Sequence, residues 1–164
     1  MERKIIEKNE ITQALRKITY GFYILTSKNG DEVAAGTVCW ACQVSFEPPL
    51  VMTAVKVKSH LRNVIKDSGA FALNVVGKAE KPILWPFFKD TQVEDHRLNG
   101  FKYEEGILGC PLLEQLPVYL ECKLTEIIEP GDHTIFIGEV VNPGIRNVDA
   151  VPLVEWETDL RYGG

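Results

Sequence analysis

Three groups of residues carry types and spacings that could do chemistry. The first is Lys58-Ser59-His60-Leu61-Arg62, where a serine opens a helical pattern with cations on either side. A hydroxyl and two cations beside the unpaired N–H groups of a first helical turn stabilise an anion. On residue types alone the same segment is also an ordinary capped helix with solvated basic side chains, because serine is a favoured N-cap. The second is His133, which follows the turn Glu129-Pro130-Gly131-Asp132 and opens a strand. A lone histidine there reads first as structural or surface, and Asp132 as a turn residue. The third is Cys39-x-x-Cys42. Residues three apart in a strand pattern point to opposite faces, which disfavours a shared metal. The spacing to Cys110 and Cys122 fits no usual zinc site, and no helix follows as in a thioredoxin motif. Unpaired thiols are the plainer reading.

These residues need elements to hold them. Asn9 is a candidate N-cap for a short helix with Ile11, Leu15 and Ile18 on one stripe, ending near Tyr20-Gly21. Phe22 to Thr26 alternates as a strand, Lys28-Asn29-Gly30-Asp31 is a hairpin turn, and Val33 to Cys39 returns. A loop around Trp40 leads to strands Gln43–Phe46 and Leu50–Val55, separated by Pro48-Pro49, which cannot donate to a ladder. From Ser59 a helix runs to about Asp67, with Leu61, Val64 and Ile65 inward and Ser68-Gly69 ending it. Ala70 to Val76 is a strand. Lys78 to Phe101 reads as a short helix or two with an excursion, and Tyr103 to Pro117 as a hairpin edge. Val118 to Leu124 and Thr134 to Val141 pair as strands, and the tail has strand character around Val154 and Trp156. Many short strands and few helices predict a mainly β fold, an antiparallel barrel that closes its own edges.

The bulk properties exclude several classes. The 164 residues suit one domain over 1–164, and a net charge of -5 without a Lys/Arg run argues against nucleic acid. No window is long and apolar enough to span a bilayer, and MERKIIEKNEI lacks an apolar leader core. The expectation is a cytoplasmic protein without membrane partners. There is no G-x-G-x-x-G after a strand, no Walker loop and no H-E-x-x-H.

From Ala34 to Arg62 the chain presents backbone wall, hydroxyls, then positive charge at a helix start, an order suited to a flat heteroaromatic ligand bearing a phosphate. Three stretches, Ala14–Tyr23, Thr37–Val51 (T-V-x-W-x-x-Q-V-S-x-x-P-P-L-V) and Gly131–Val140 (GDHTIFIGEV), resemble the flavin reductase-like proteins with an FMN-binding split barrel. The resemblance implies an antiparallel split β-barrel with a few short flanking helices. It implies FMN, or FAD in its place, with Thr37, Val38, Cys39, Trp40, Gln43, Val44 and Ser45 lining the ring system largely through backbone groups. Lys58, Ser59, His60 and Arg62 are the implied phosphate site, and His133 the implied catalytic residue facing the open side of the flavin. Trp40 taken alone is equally a core or interface aromatic. Three positions depart from the family pattern: Leu61 where threonine is common, Cys39 where serine is common, and Ala34 for a frequent asparagine. The implied activity is an NAD(P)H-dependent flavin or ferric reductase, acting as a homodimer on free flavin, ferric iron or a redox protein. The alternative is an electron carrier that serves a rubredoxin-type partner without nicotinamide.

Overall fold

The computed structural model describes residues 8–164. Helix α1 (Lys8–Leu15) precedes the hairpin β1 (Tyr23–Asn29) and β2 (Glu32–Val38), followed by β3 (Ala41–Ser45) and β4 (Leu50–Lys56). Helix α2 (His60–Ser68) leads into β5 (Ala70–Val75). Next come short strands β6 (Val93–Glu94), β7 (Arg97–Leu98), β8 (Phe101–Glu105) and β9 (Pro111–Leu113), then the long pair β10 (Val118–Ile128) and β11 (His133–Ile145). The fold is mainly β. A seven-stranded antiparallel sheet runs β2-β1-β5-β10-β11-β4-β3, and β6 to β9 form a smaller sheet. This is the split barrel that the resemblance implies.

Helix α2 packs against β1, β2, β4 and β5. Its Leu61, Val64 and Ile65 are buried with Leu25, Phe71, Leu73 and Phe136, each worth roughly 1.5–3 kcal/mol relative to exposure. The helix stops because Gly69 adopts φ 69° and returns its N–H to Ile65 O at 3.0 Å, a conformation that costs glycine nothing. Gly30 does the same for the first hairpin, at φ 59°. The smaller sheet is tied to the barrel by fully buried Asn74, which donates to Ile24 O at 3.1 Å and accepts the Leu113 N–H at 2.9 Å. A buried amide is tolerated because it is bonded on both sides.

Two sequence expectations, the Asn9 cap and the tail strand, need correction. Asn9 lies inside α1 and accepts from Gln13 Nε2 at 3.1 Å rather than capping the helix. Ile11 and Leu15 of α1, and Ile18 just beyond it, stay 47%, 44% and 50% exposed. The tail makes isolated bridges, Gly21 with Val154 and Gly77 with Pro152, and a 3-10 turn at Glu155–Glu157 instead of a strand. Glu155 turns inward there and its carboxylate holds the Tyr162 N–H at 2.7 Å. The Pro-rich stretch becomes two 3-10 turns, Lys78–Leu84 and Pro86–Phe88, because Pro82 and Pro86 lack the N–H that an α-helical ladder needs. Among the described residues no helix is long and apolar enough to cross a membrane.

Candidate functional site

A chamber of about 380 Å³ opens where β2 and β4 diverge and α2 begins, within the usual size range of small-molecule sites. One wall is the end of β2 and the following turn, Gly36 to Trp40. Ala54, Val55 and Lys56 of β4, joined to the turn by the Ala54 N–H on Trp40 O at 3.0 Å, line it as well, with Ser59 and Leu61 at the head of α2. Phe87, Phe88 and the tail residues Glu155, Leu160, Arg161 and Tyr162 complete the lining. A Cβ placed on Gly36 would sit 3.5 Å from Leu61 Cδ2, an ordinary van der Waals contact.

The turn after β4 is closed by Ser59 N–H on Lys56 O at 2.9 Å, while the Lys56 ammonium lies 5.3 Å from the Tyr162 ring centroid. Ser59 is the N-cap in extended conformation, yet its side chain makes no capping hydrogen bond. A serine at this position ordinarily satisfies an amide of its own helix. Here the hydroxyl is not used by its own helix. The Trp40 indole Nε1 is buried and makes no hydrogen bond of good geometry, with the Tyr20 hydroxyl as its neighbour.

Thr37, Val38, Cys39, Trp40 and Ser59 line the chamber together. Thr37 gives its hydroxyl to Leu84 O at 2.9 Å, so it offers backbone and methyl. Burial, reinforced by Glu155, pushes the Cys39 thiol up to about 12, so it stays a neutral, weak donor. The other expected residues lie elsewhere. Gln43 lines a separate apolar recess with Cys42, Leu50 and Val140, and Val44 and Ser45 lie outside the chamber at the β3 edge. Lys58 is exposed off the chamber, and His60 reaches Glu32 at 3.4 Å. Arg62 bonds Thr134 Oγ1 at 3.0 Å and pairs with Glu129.

His133 stands beyond Trp40, at a ring-centroid distance of 4.6 Å. Its Nδ1 meets Asp132 Oδ1 at 2.7 Å and its Nε2 meets the Tyr162 hydroxyl at 2.8 Å. The hydrogen bond from His133 holds the Asp132 carboxyl below its usual range. Burial, then Cys39 and Asp132, push the Tyr162 phenol up. Lys56, Phe87, Phe88, Glu155 and Tyr162 were not among the expected site residues. Lys56 carried a signal, three residues before the cap, whereas the others come from distant stretches that only the fold brings together. The four cysteines are free, with Cys39 buried and Cys42 exposed, and the described residues hold no cluster of metal ligands.

Residues 15–164 match the model of the flavin reductase like domain. The chain belongs to the flavin reductase-like family. It is 30% identical over 135 residues to a ferric-chelate reductase (NAD(P)H) of Archaeoglobus fulgidus, covering 79% of this chain and 78% of that one. It is 27% identical over 147 residues to diflavin flavoprotein A 1 of Synechocystis sp., covering 89% of this chain. The chain spans only 26% of that relative's length. The crystal structure of flavin reductase HpaC complexed with NADP+ superposes with a TM-score of 0.77 at 30% identity, over 90% of this chain and 92% of that one. The family is flavin- and NAD(P)H-linked. The chain's departure at position 61 has a structural reason: Leu61 is 5% exposed and belongs to the barrel core while also lining the chamber.

Proposed function

We propose that the chain is one domain over residues 1–164 that holds FMN, or FAD in its place, in the chamber and reduces it with NAD(P)H. The observation that carries this reading is the uncapped Ser59 at the head of α2, which lines the chamber together with Lys56. A doubly charged phosphate suits the head of α2, where first-turn N–H groups and a hydroxyl meet, with an ammonium on the same chamber's lining. When bound, the flavin supplies a centre that takes hydride from NAD(P)H and passes electrons to free flavin, ferric iron or a protein partner.

The chain's own residues bind, orient and exclude water. Ser59 and Lys56 hold the phosphate end; the backbone of Thr37 to Trp40 and the side chains of Phe87 and Phe88 fix the ring plane. His133, charged or neutral beside Asp132, orients the second substrate and supports negative charge on a reduced ring. No side chain is required as a nucleophile.

The same reading includes a homodimer in a reducing cytoplasm. Phe46 and Val44, at and beside the β3 edge, are 86% and 46% exposed, and the apolar stripe of α1 is uncovered, surface that a second copy would cover. Sedimentation of the wild type against Phe46→Asp tests it; a wild type that sediments as a monomer at micromolar concentration removes it.

The main test is optical. Purified protein loaded with FMN is mixed anaerobically with NADH or NADPH, and bleaching of the flavin band within seconds is expected. A second reading has its own support: the match to a quarter of a longer diflavin flavoprotein suits an electron carrier fed by another redox module. Slow bleaching by both nucleotides with fast reduction by a rubredoxin-type protein would select it. A protein that ignores added FMN would overturn both.

A further inference from the structure

His133 is expected to face a substrate, yet its side chain is only 13% exposed. What covers it is specific. Trp40 lies on one side of the imidazole, and Tyr162 stands edge-on to both rings, 5.2 Å from Trp40 and 5.9 Å from His133. The Tyr162 hydroxyl closes the gap to Nε2 at 2.8 Å. Tyr162, Trp40 and Lys56 are common to the chamber and to a second recess that contains His133 and Asp132. Tyr162 is therefore a partition between the two spaces.

The partition is built to turn rather than to detach. Its backbone is pinned by the N–H bond to Glu155 at 2.7 Å, and the next carbonyl, Gly163 O, accepts from Arg16 Nε at 3.3 Å. Its ring is held by one hydrogen bond and by aromatic edges, with Lys56 Nζ 5.3 Å from the centroid, and Tyr162 is still 45% exposed. A rotation about its side-chain torsions breaks a single hydrogen bond and meets solvent. The chamber and the recess then join into one cleft walled by Trp40 and His133. Their flat rings offer a stacking surface to a planar heterocycle.

Resting on the reading of the chamber as the flavin site, we propose that Tyr162 is the specificity-determining gate for the second substrate, a nicotinamide nucleotide, which enters by displacing its ring. Apparent nucleotide affinity is lowered by the fraction of time the gate stands open. Removing the hydroxyl releases one net hydrogen bond, which sets a gain of about twofold to tenfold.

The test compares wild type, Tyr162→Phe and Tyr162→Ala, first checked for equal melting behaviour. With FMN loaded, calorimetric titration with NADP+ and NAD+ reads binding without turnover. FMN affinity is measured for each variant first and the nucleotide titrations are run at saturating FMN; nucleotide binding is expected to tighten by about twofold to tenfold in Tyr162→Phe and at least as much in Tyr162→Ala. Without any cofactor, carbethoxylation of His133 by diethylpyrocarbonate, mapped by mass spectrometry, is expected to accelerate in both variants. Unchanged or weakened nucleotide binding in the variants, or carbethoxylation at the wild-type rate, overturns the gate while leaving the flavin site standing. Failure of the wild type to take up FMN overturns the reading beneath it and the choice of ligand with it.

Discussion

Arg62 turns its guanidinium onto Glu129, and its Nε donates to Thr134 Oγ1 at 3.0 Å. The pair straps α2 to the turn before β11 and to β11 itself, on a face that does not line the chamber. Arg62→Ala is therefore expected to lower stability, by about 0.5–1 kcal/mol for a partly exposed pair, which is a melting shift of roughly 1–4 °C for a chain of this size. FMN affinity is expected to hold within about twofold. A large loss of FMN affinity at unchanged melting temperature would return Arg62 to the phosphate site.

The anion end is expected to depend on Lys56 and Ser59 instead. Lys56→Ala and Ser59→Ala should each weaken FMN by about 1–3 kcal/mol, the range of charge-assisted hydrogen bonds. Flavin fluorescence quenching on titration measures this. Riboflavin, which has no phosphate, should lose little affinity in either variant, and equal losses for both ligands would place these residues elsewhere.

Thiol chemistry offers a check on the fold around the chamber. Burial pushes the Cys39 and Cys122 thiols up to about 12 and raises Cys110 as well, whereas Cys42 is exposed. Thiolates react and buried neutral thiols do not. Iodoacetamide at pH 8 and low protein concentration should label Cys42 in the native protein and all four cysteines in denaturant. Labelling of Cys39 at a comparable rate would show the β2 end standing open.

The acid limb of stability should carry a signature of Asp132 and Glu129. His133 depresses the first carboxyl and Arg62 the second. With the folded-state value below the unfolded one, the unfolded chain binds more protons in between, so stability rises with pH there. Each contribution is present above the unfolded carboxylate value, about pH 4, and disappears as pH falls through the folded value. Urea midpoints measured from pH 2.5 to 6 should fall less steeply in Asp132→Asn than in the wild type. Parallel curves would mean that the His133 contact is absent in solution.

Gly138, inside the GDHTIFIGEV stretch, matters for packing. A Cβ there would stand 2.7 Å from Phe71 Cε1 and 2.9 Å from Cys122 Cβ. Gly138→Ala should cost about 1–3 kcal/mol by overpacking, read as a lowered melting temperature with FMN affinity kept in the folded protein.

Much of the barrel was legible because local chemistry and tertiary position agree. The inward trio of α2, Gly69 at its end and the Gly30 turn all follow from side-chain periodicity and backbone freedom. Of the residues expected at the site, those that line the chamber are the ones continuous in sequence, Thr37 to Trp40, together with Ser59. Lys58 and Lys56 are equally basic, and only the turn that folds Ser59 back onto Lys56 distinguishes them. Phe88, Glu155 and Tyr162 carry no local mark, because their role depends on closing loops of dozens of residues. The partner of Arg62 was not legible for a related reason: whether a cation faces a ligand or an acidic neighbour depends on Glu129, which is far along the chain.

Trp40 borders the chamber, the His133 recess and the apolar hollow beside Ala41 and Met52. One codon thus writes three surfaces at once. Any replacement that reshapes the cofactor's bed also rewrites the approach of whatever comes to meet it, so the two affinities must drift together across descendants of this gene. A compensating change for either has to arise at some other residue.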